Sequence, residues 1–72
     1  MRLDVRTDPV NARYYQVIDK DSGQVIPDVV AVDDEDQWYE VYKKDDKGHV
    51  IEDEDGRPIV LIKRARIQLR HM

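Results

Sequence analysis

The sequence predicts an all-β fold: five or six mainly antiparallel strands in a small barrel or curled roll, with little or no helix. Three observations carry that expectation. Apolar and polar residues alternate with period two in several short runs, as they do along half-buried strands. The apolar residues are largely β-branched, which suits a pleated surface better than a helix. Three short segments place an acid two residues before a glycine, with a strand beginning within three residues after it: Asp21-Ser22-Gly23, Asp46-Lys47-Gly48 and Glu54-Asp55-Gly56. Glycine supplies the positive φ of a tight hairpin, and aspartate bonds back to its own turn.

In chain order, the first expected strand is short, Leu3-Asp4-Val5. Arg13-Tyr14-Tyr15-Gln16-Val17-Ile18-Asp19 follows with clear alternation. Pro27 separates Gln24-Val25-Ile26 from the buried-looking Val29-Val30-Ala31-Val32, because proline cannot donate within a central ladder. Gln37-Trp38-Tyr39-Glu40-Val41-Tyr42-Lys43 could set Trp38, Val41 and Tyr42 on one helical face, but its Trp, Val and Tyr content favours a strand. His49-Val50-Ile51 is a further short strand. The glycines at 23, 48 and 56 are too few and too unevenly spaced for a solenoid repeat.

The last apolar stretch, Ile59 to Arg70, is too long for its context. Twelve extended residues reach about 40 Å, more than the roughly 25–30 Å expected across so small a domain. The stretch must either bend at a corner or project to pair with another chain. Its first four residues are apolar on both faces. Beyond them Lys63, Ala65, Ile67 and Leu69 alternate with Arg64, Arg66, Gln68 and Arg70.

Seventy-two residues make one domain, residues 1–72. A core of that size supplies only about 3–5 kcal/mol, so stabilisation by a partner or an oligomer is expected. Cysteine is absent, which removes disulfide and thiolate–metal staples and fits a reducing compartment. The longest apolar run, Ile59–Ile62, is far short of a membrane span, and Met1–Arg6 lacks the apolar core of a secretory signal. Charged residues amount to 39% and hydrophobic ones to 40%, and the clustering of the latter marks a folded chain.

Charge is distributed unevenly. Residues 1–27 are neutral, residues 28–55 carry −9 and residues 56–72 carry +5. Arg64, Arg66 and Arg70 could track phosphates while tyrosines stack on bases. The acidic balance of the whole chain, net −4 with a pI near 5.0, argues against a nucleic-acid partner. Pairing of the arginines with Glu40, Glu52 or Asp53 across strands explains the row more simply. A charged protein-docking face is the other reading. The acidic runs Asp33–Asp36 and Glu52–Asp55 invite a calcium loop, yet in Asp19–Gly23 and Glu52–Gly56 glycine falls fifth where a helix-loop-helix site needs it sixth. They read as solvated turns, and their mixed-sign surroundings make poor mimicry of a nucleic-acid backbone.

Catalytic material is sparse. A Ser22-His49-acid triad can be assembled on paper, but Ser22 lies in a hairpin turn without a nucleophile elbow. The chain reads as a non-enzyme, with no cofactor and no metal site. Tyr14, Tyr15, Trp38, Tyr39 and Tyr42 all carry a polar tip, suiting half-buried or interface positions. Trp38 and Tyr42 share one face of their strand and Tyr39 takes the other, so one aromatic face packs in the core and the second is either covered within the fold or left for a partner.

Across Ile26–Asp34, Trp38–Tyr42 and Asp46–Ile51 the chain resembles small proteins of unassigned function encoded by tailed phages and prophages. That resemblance implies an accessory or morphogenesis role, in the host cytoplasm or on a virion, and no catalytic residues. The resulting expectation is a protein-interaction module using Trp38, Tyr42, Arg64, Arg66 and Arg70, with an unknown protein partner or a second copy. The alternatives are a self-assembling structural component pairing through its C-terminal strand, and nucleic-acid binding through the Arg64–Arg70 face.

Overall fold

In the computed structural model, which describes residues 1–72, seven strands divide between two open antiparallel sheets. They are β1 (Arg2–Asp4), β2 (Tyr15–Asp19), β3 (Val25–Ile26), β4 (Val29–Asp33), β5 (Trp38–Tyr42), β6 (Val60–Arg64) and β7 (Ile67–His71). The larger sheet runs β1-β4-β5-β6 and the smaller β3-β2-β7. The expected all-β class stands, and the sheets do not close into a barrel. The only helix is the single turn α1 (Pro9–Ala12). Its Asp8 N-cap and N-terminal Pro9 are the residues that start a helix most readily.

The chain changes sheets at two corners. At the first, Pro27 and Asp28 separate β3 from β4, and Asp28 takes φ 60°, which a short polar side chain tolerates better than most. At the second, Ala65-Arg66 separates β6 from β7. The twelve-residue stretch is therefore two strands in two sheets. A straight one would overrun a molecule only 35 Å in its longest dimension.

Facing residues of the sheets form a thin core. Leu3 and Val32 from the larger sheet meet Val17 and Ile67 from the smaller, with Tyr15, Ile26, Tyr39 and Leu69 packed around them. Leu3, Val32 and Tyr39 are register partners in one row, which fixes the inner face of the larger sheet. Only seven residues are buried, so each core contact is a large share of a stability of a few kcal/mol.

Gln37 ties the sheets together. The β4–β5 turn, Asp33 to Gln37, has no glycine, and Gln37 itself takes φ 58°. The Asp33 carboxylate accepts from the backbone N–H groups of Glu35 and Asp36 and shapes the turn. From that position the Gln37 side-chain amide accepts from the Ile67 N–H at 2.9 Å and donates to the Ile67 C=O at 3.0 Å. Ile67 lies opposite Asp19 at a position of the β2–β7 ladder whose backbone groups point away from β2. A side-chain amide thus takes the place of a missing strand.

Between β5 and β6 the chain makes two turns of one design, Asp45–His49 and Asp53–Arg57. In each, the leading carboxylate accepts two backbone N–H groups, from Lys47 and His49 or from Asp55 and Arg57. Gly48 and Gly56 close them at φ 83° and 77°. Three residues eight apart then bond in a ring: Lys43 N–H to Ile59 C=O, Ile59 N–H to Ile51 C=O, and Ile51 N–H to Lys43 C=O. The expected strand at His49–Ile51 is reduced to single bridges, Lys44 with Val50 and Glu52 with Pro58.

Candidate interaction surface

Alternation along the larger sheet puts one set of side chains on the face turned from the core. Register partners there form rows: Arg2, Asp33, Trp38 and Arg64; then Asp4, Ala31, Glu40 and Ile62; then Tyr42 and Val60. The Arg2 guanidinium sits 5.3 Å from the Trp38 ring centroid, a cation–π distance. Arg64 is directly opposite Trp38 on the other side.

The middle row is held by Arg6. Its guanidinium donates to both oxygens of Asp4, at 3.0 and 2.8 Å, and to Glu40 at 2.8 Å. Asp4 and Glu40 flank Ala31 from the two neighbouring strands, so the guanidinium bridges across Ala31, which is 1% exposed. Bonding to Arg6 holds the Asp4 carboxyl below the usual carboxylate range and raises the Arg6 pKa in return. The clip covers the centre of the sheet. Beyond it Ile62 is left 67% exposed, more than any other large apolar side chain.

Backbone parity leaves the strand edge at Ile62 open as well. The bond from Lys43 N–H to Ile59 C=O makes 41/61 and 39/63 the bonded pairs of the β5–β6 ladder. The N–H and C=O groups of Val60, Ile62 and Arg64 therefore point outward from the edge of the sheet. Of the other edges, β1 has three residues and β3 two, while β7 matches β6 in length but is capped at Ile67 by Gln37. β6 is the one five-residue edge with no side-chain cap.

Of the five residues expected to contact a partner, three fall on this face: Trp38, Tyr42 and Arg64. Arg66 and Arg70 do not. The corner at Ala65-Arg66 carries them into the smaller sheet, so the predicted continuous row Arg64-Arg66-Gln68-Arg70 does not exist. Arg66 pairs with Asp21 at 3.0 Å, and Arg70 donates to the Gln16 side chain at 2.6 Å. Glu40, one of the expected counter-charges, is held by Arg6 instead. A nucleic-acid reading loses its phosphate track with the row. Ile62, Arg2 and Arg6 were not singled out from sequence. Four apolar residues in succession at 59–62 were the available signal, since one of the two faces had to be turned outward.

Elsewhere, Ser22 and His49 occupy separate turns. Ser22 accepts from the Gln24 N–H at 3.2 Å, and His49 Nδ1 stands 3.7 Å from Asp45. An open apolar cleft of about 290 Å³ lies between the sheets, lined by Leu3, Val5, Val17, Val29, Leu69 and Met72 among others. No helix is long and apolar enough to cross a membrane. Comparison with protein-family models, curated proteins and solved structures gave no match.

Proposed function

We propose that this chain is a non-enzymatic protein-interaction module that docks through the outer face of its larger sheet. One observation carries the reading: Trp38, Tyr42, Ile62 and Arg64 stand together on the face away from the core, beside an open strand edge. Aromatic side chains and arginine are the types that supply most of the energy at the centres of interfaces. The Arg2 guanidinium over the Trp38 ring restrains it, which lowers the side-chain freedom lost on binding. A place among the accessory proteins of tailed phages, in the host cytoplasm or on a virion, belongs to the same proposal and rests on the resemblance of residues 26–51.

The test is capture by the immobilised chain, comparing wild type with Trp38→Ala, Arg64→Glu and Arg66→Glu. A protein retained by wild type and lost with Trp38→Ala and Arg64→Glu, but not with Arg66→Glu, is the expected result. A capture profile indifferent to Trp38→Ala and Arg64→Glu removes this face from the proposal.

A further inference from the structure

We infer that the open edge of β6 pairs antiparallel with β6 of a second copy of this chain, about a two-fold axis through Ile62. This deepens the docking proposal, because it names one occupant for the edge of that face.

The first support is geometric. Val60, Ile62 and Arg64 direct their free backbone groups outward. A two-fold at Ile62 sets Ile62 against Ile62 and Val60 against Arg64 twice, all at bonded positions of an antiparallel ladder. Six main-chain hydrogen bonds follow, and the two larger sheets join into one of eight strands. The register opposes no like charges, since Arg64 meets Val60 and Lys63 meets Leu61 of the second copy. The most exposed apolar side chain of the molecule is then covered by itself.

Charge gives independent support. The segment leading into β6 begins with Glu52-Asp53-Glu54-Asp55, and β6 ends with Lys63-Arg64. None of these six side chains has an ion-pair partner within the chain: every acid that is paired lies elsewhere, at Asp4, Asp21, Asp28, Asp34, Glu35, Glu40 and Asp45. The edge is acidic at one end and basic at the other. Antiparallel pairing lays each acidic turn beside the basic end of the other copy, at both ends of the joint. A parallel arrangement would set like against like. The acids beside β6 are thus counter-charge for its basic end in a second molecule, while Arg66 has already found Asp21 in its own.

The experiment is mass by light scattering after size exclusion, over a concentration series and at about 20 mM and about 0.5 M salt, which span weak and strong screening. Wild type is expected to approach twice 8.5 kDa at low salt and to shift towards 8.5 kDa at high salt. Ile62→Pro removes only an outward N–H, a substitution that edge strands accept, and should give a folded monomer by circular dichroism. Ile62→Lys makes the same test without proline, by setting two cations against each other on the axis. Two charge variants go further: Lys63→Glu with Arg64→Glu, and Glu52→Lys with Glu54→Lys and Asp55→Lys, which makes the turn basic and keeps the Asp53 carboxylate that shapes it. Each alone should dimerise about tenfold or more weakly than wild type, the scale of several exposed ion pairs turned repulsive. Mixed together they should form a heterodimer, because both ends of the joint are then complementary.

A wild-type monomer at low salt throughout the series overturns the inference, as does a dimer indifferent to Ile62→Pro and Ile62→Lys, or a mixture that stays monomeric. The docking proposal is separable from it. A monomer whose captured partner is lost with Trp38→Ala leaves docking intact without self-pairing, and a dimer with a capture profile indifferent to Trp38→Ala does the reverse.

Discussion

Replacing Gln37 by alanine and, separately, by glycine measures how much of the fold hangs on one side-chain amide. Alanine leaves the N–H and C=O of Ile67, a residue 1% exposed, without their partner. An unsatisfied buried backbone group costs about 1–3 kcal/mol. Gln37 is itself only partly buried, so water can enter the vacated space, and the low end applies: about 2 kcal/mol for the two groups together. Alanine also keeps the left-handed backbone of residue 37, whose cost glycine relieves by about 1 kcal/mol. Gln37→Ala should therefore lose about 2 kcal/mol and Gln37→Gly about 1 kcal/mol. With a denaturant slope near 1 kcal/mol per molar urea, the midpoints fall by roughly 2 M and 1 M. Equilibrium urea unfolding followed by Trp38 fluorescence reads both. If the two variants unfold together, residue 37 carries no backbone strain. If Gln37→Gly is as stable as wild type or more so, the amide bonds to Ile67 contribute no more than the strain they require.

Three further outcomes follow from the same geometry. Ala31→Leu forces a larger side chain under the Arg6 guanidinium and should destabilise by about 1–3 kcal/mol in urea, whereas Ala31→Gly leaves the clip in place. Asp4 has a depressed pKa in the folded chain, so its contribution is complete above the unfolded value of about 3.9 and disappears as pH falls through the lower folded value. Stability measured between pH 6 and about 2 should therefore fall less steeply for Asp4→Asn than for wild type; parallel curves would deny the coupling to Arg6. Gly48→Ala meets no neighbour within 4 Å and should lose only the conformational cost of its positive φ, about 1 kcal/mol, and Gly56→Ala should lose a similar amount.

The all-β class was legible because alternation and turn chemistry are local properties, and both sheets are built from runs that alternate. β4 and β5 fall within a residue of their expected bounds, and Pro27 correctly separates β3 from β4. Corners are harder. Ala65-Arg66 has neither glycine nor proline, so nothing local marks the point where β6 leaves one sheet and β7 enters the other. Length alone required a break, and the arginine row was drawn straight through it. The Gln37 clamp was invisible for a related reason: its partner, Ile67, is 30 residues away, and its turn lacks the usual glycine. The Asp8-Pro9 helix start was present in the sequence, but one turn is too short to leave a 3.6-residue pattern. The outer face was half legible. Trp38 and Tyr42 share it by period two, whereas the position of Ile62 on it depends on the register that the 43–59 extension imposes on β6.

That extension consists of two consecutive octapeptides, Asp45–Glu52 and Asp53–Val60, each with aspartate first, glycine fourth and isoleucine seventh. Because Lys43 bonds to both Ile51 and Ile59, the second unit begins and ends at equivalent places in the ladder. Excising residues 52–59 would bring Val60 directly after Ile51, in step with Tyr42 after Lys43, and turn β5 and β6 into one uninterrupted hairpin. Eight is an even number, so every later side chain would keep its face. The chain can thus change length here in units of eight without altering either sheet. Segment 52–59, which can be spared, also holds the four consecutive acids, so one in-frame deletion would separate the fold from the charge-guided pairing proposed for β6.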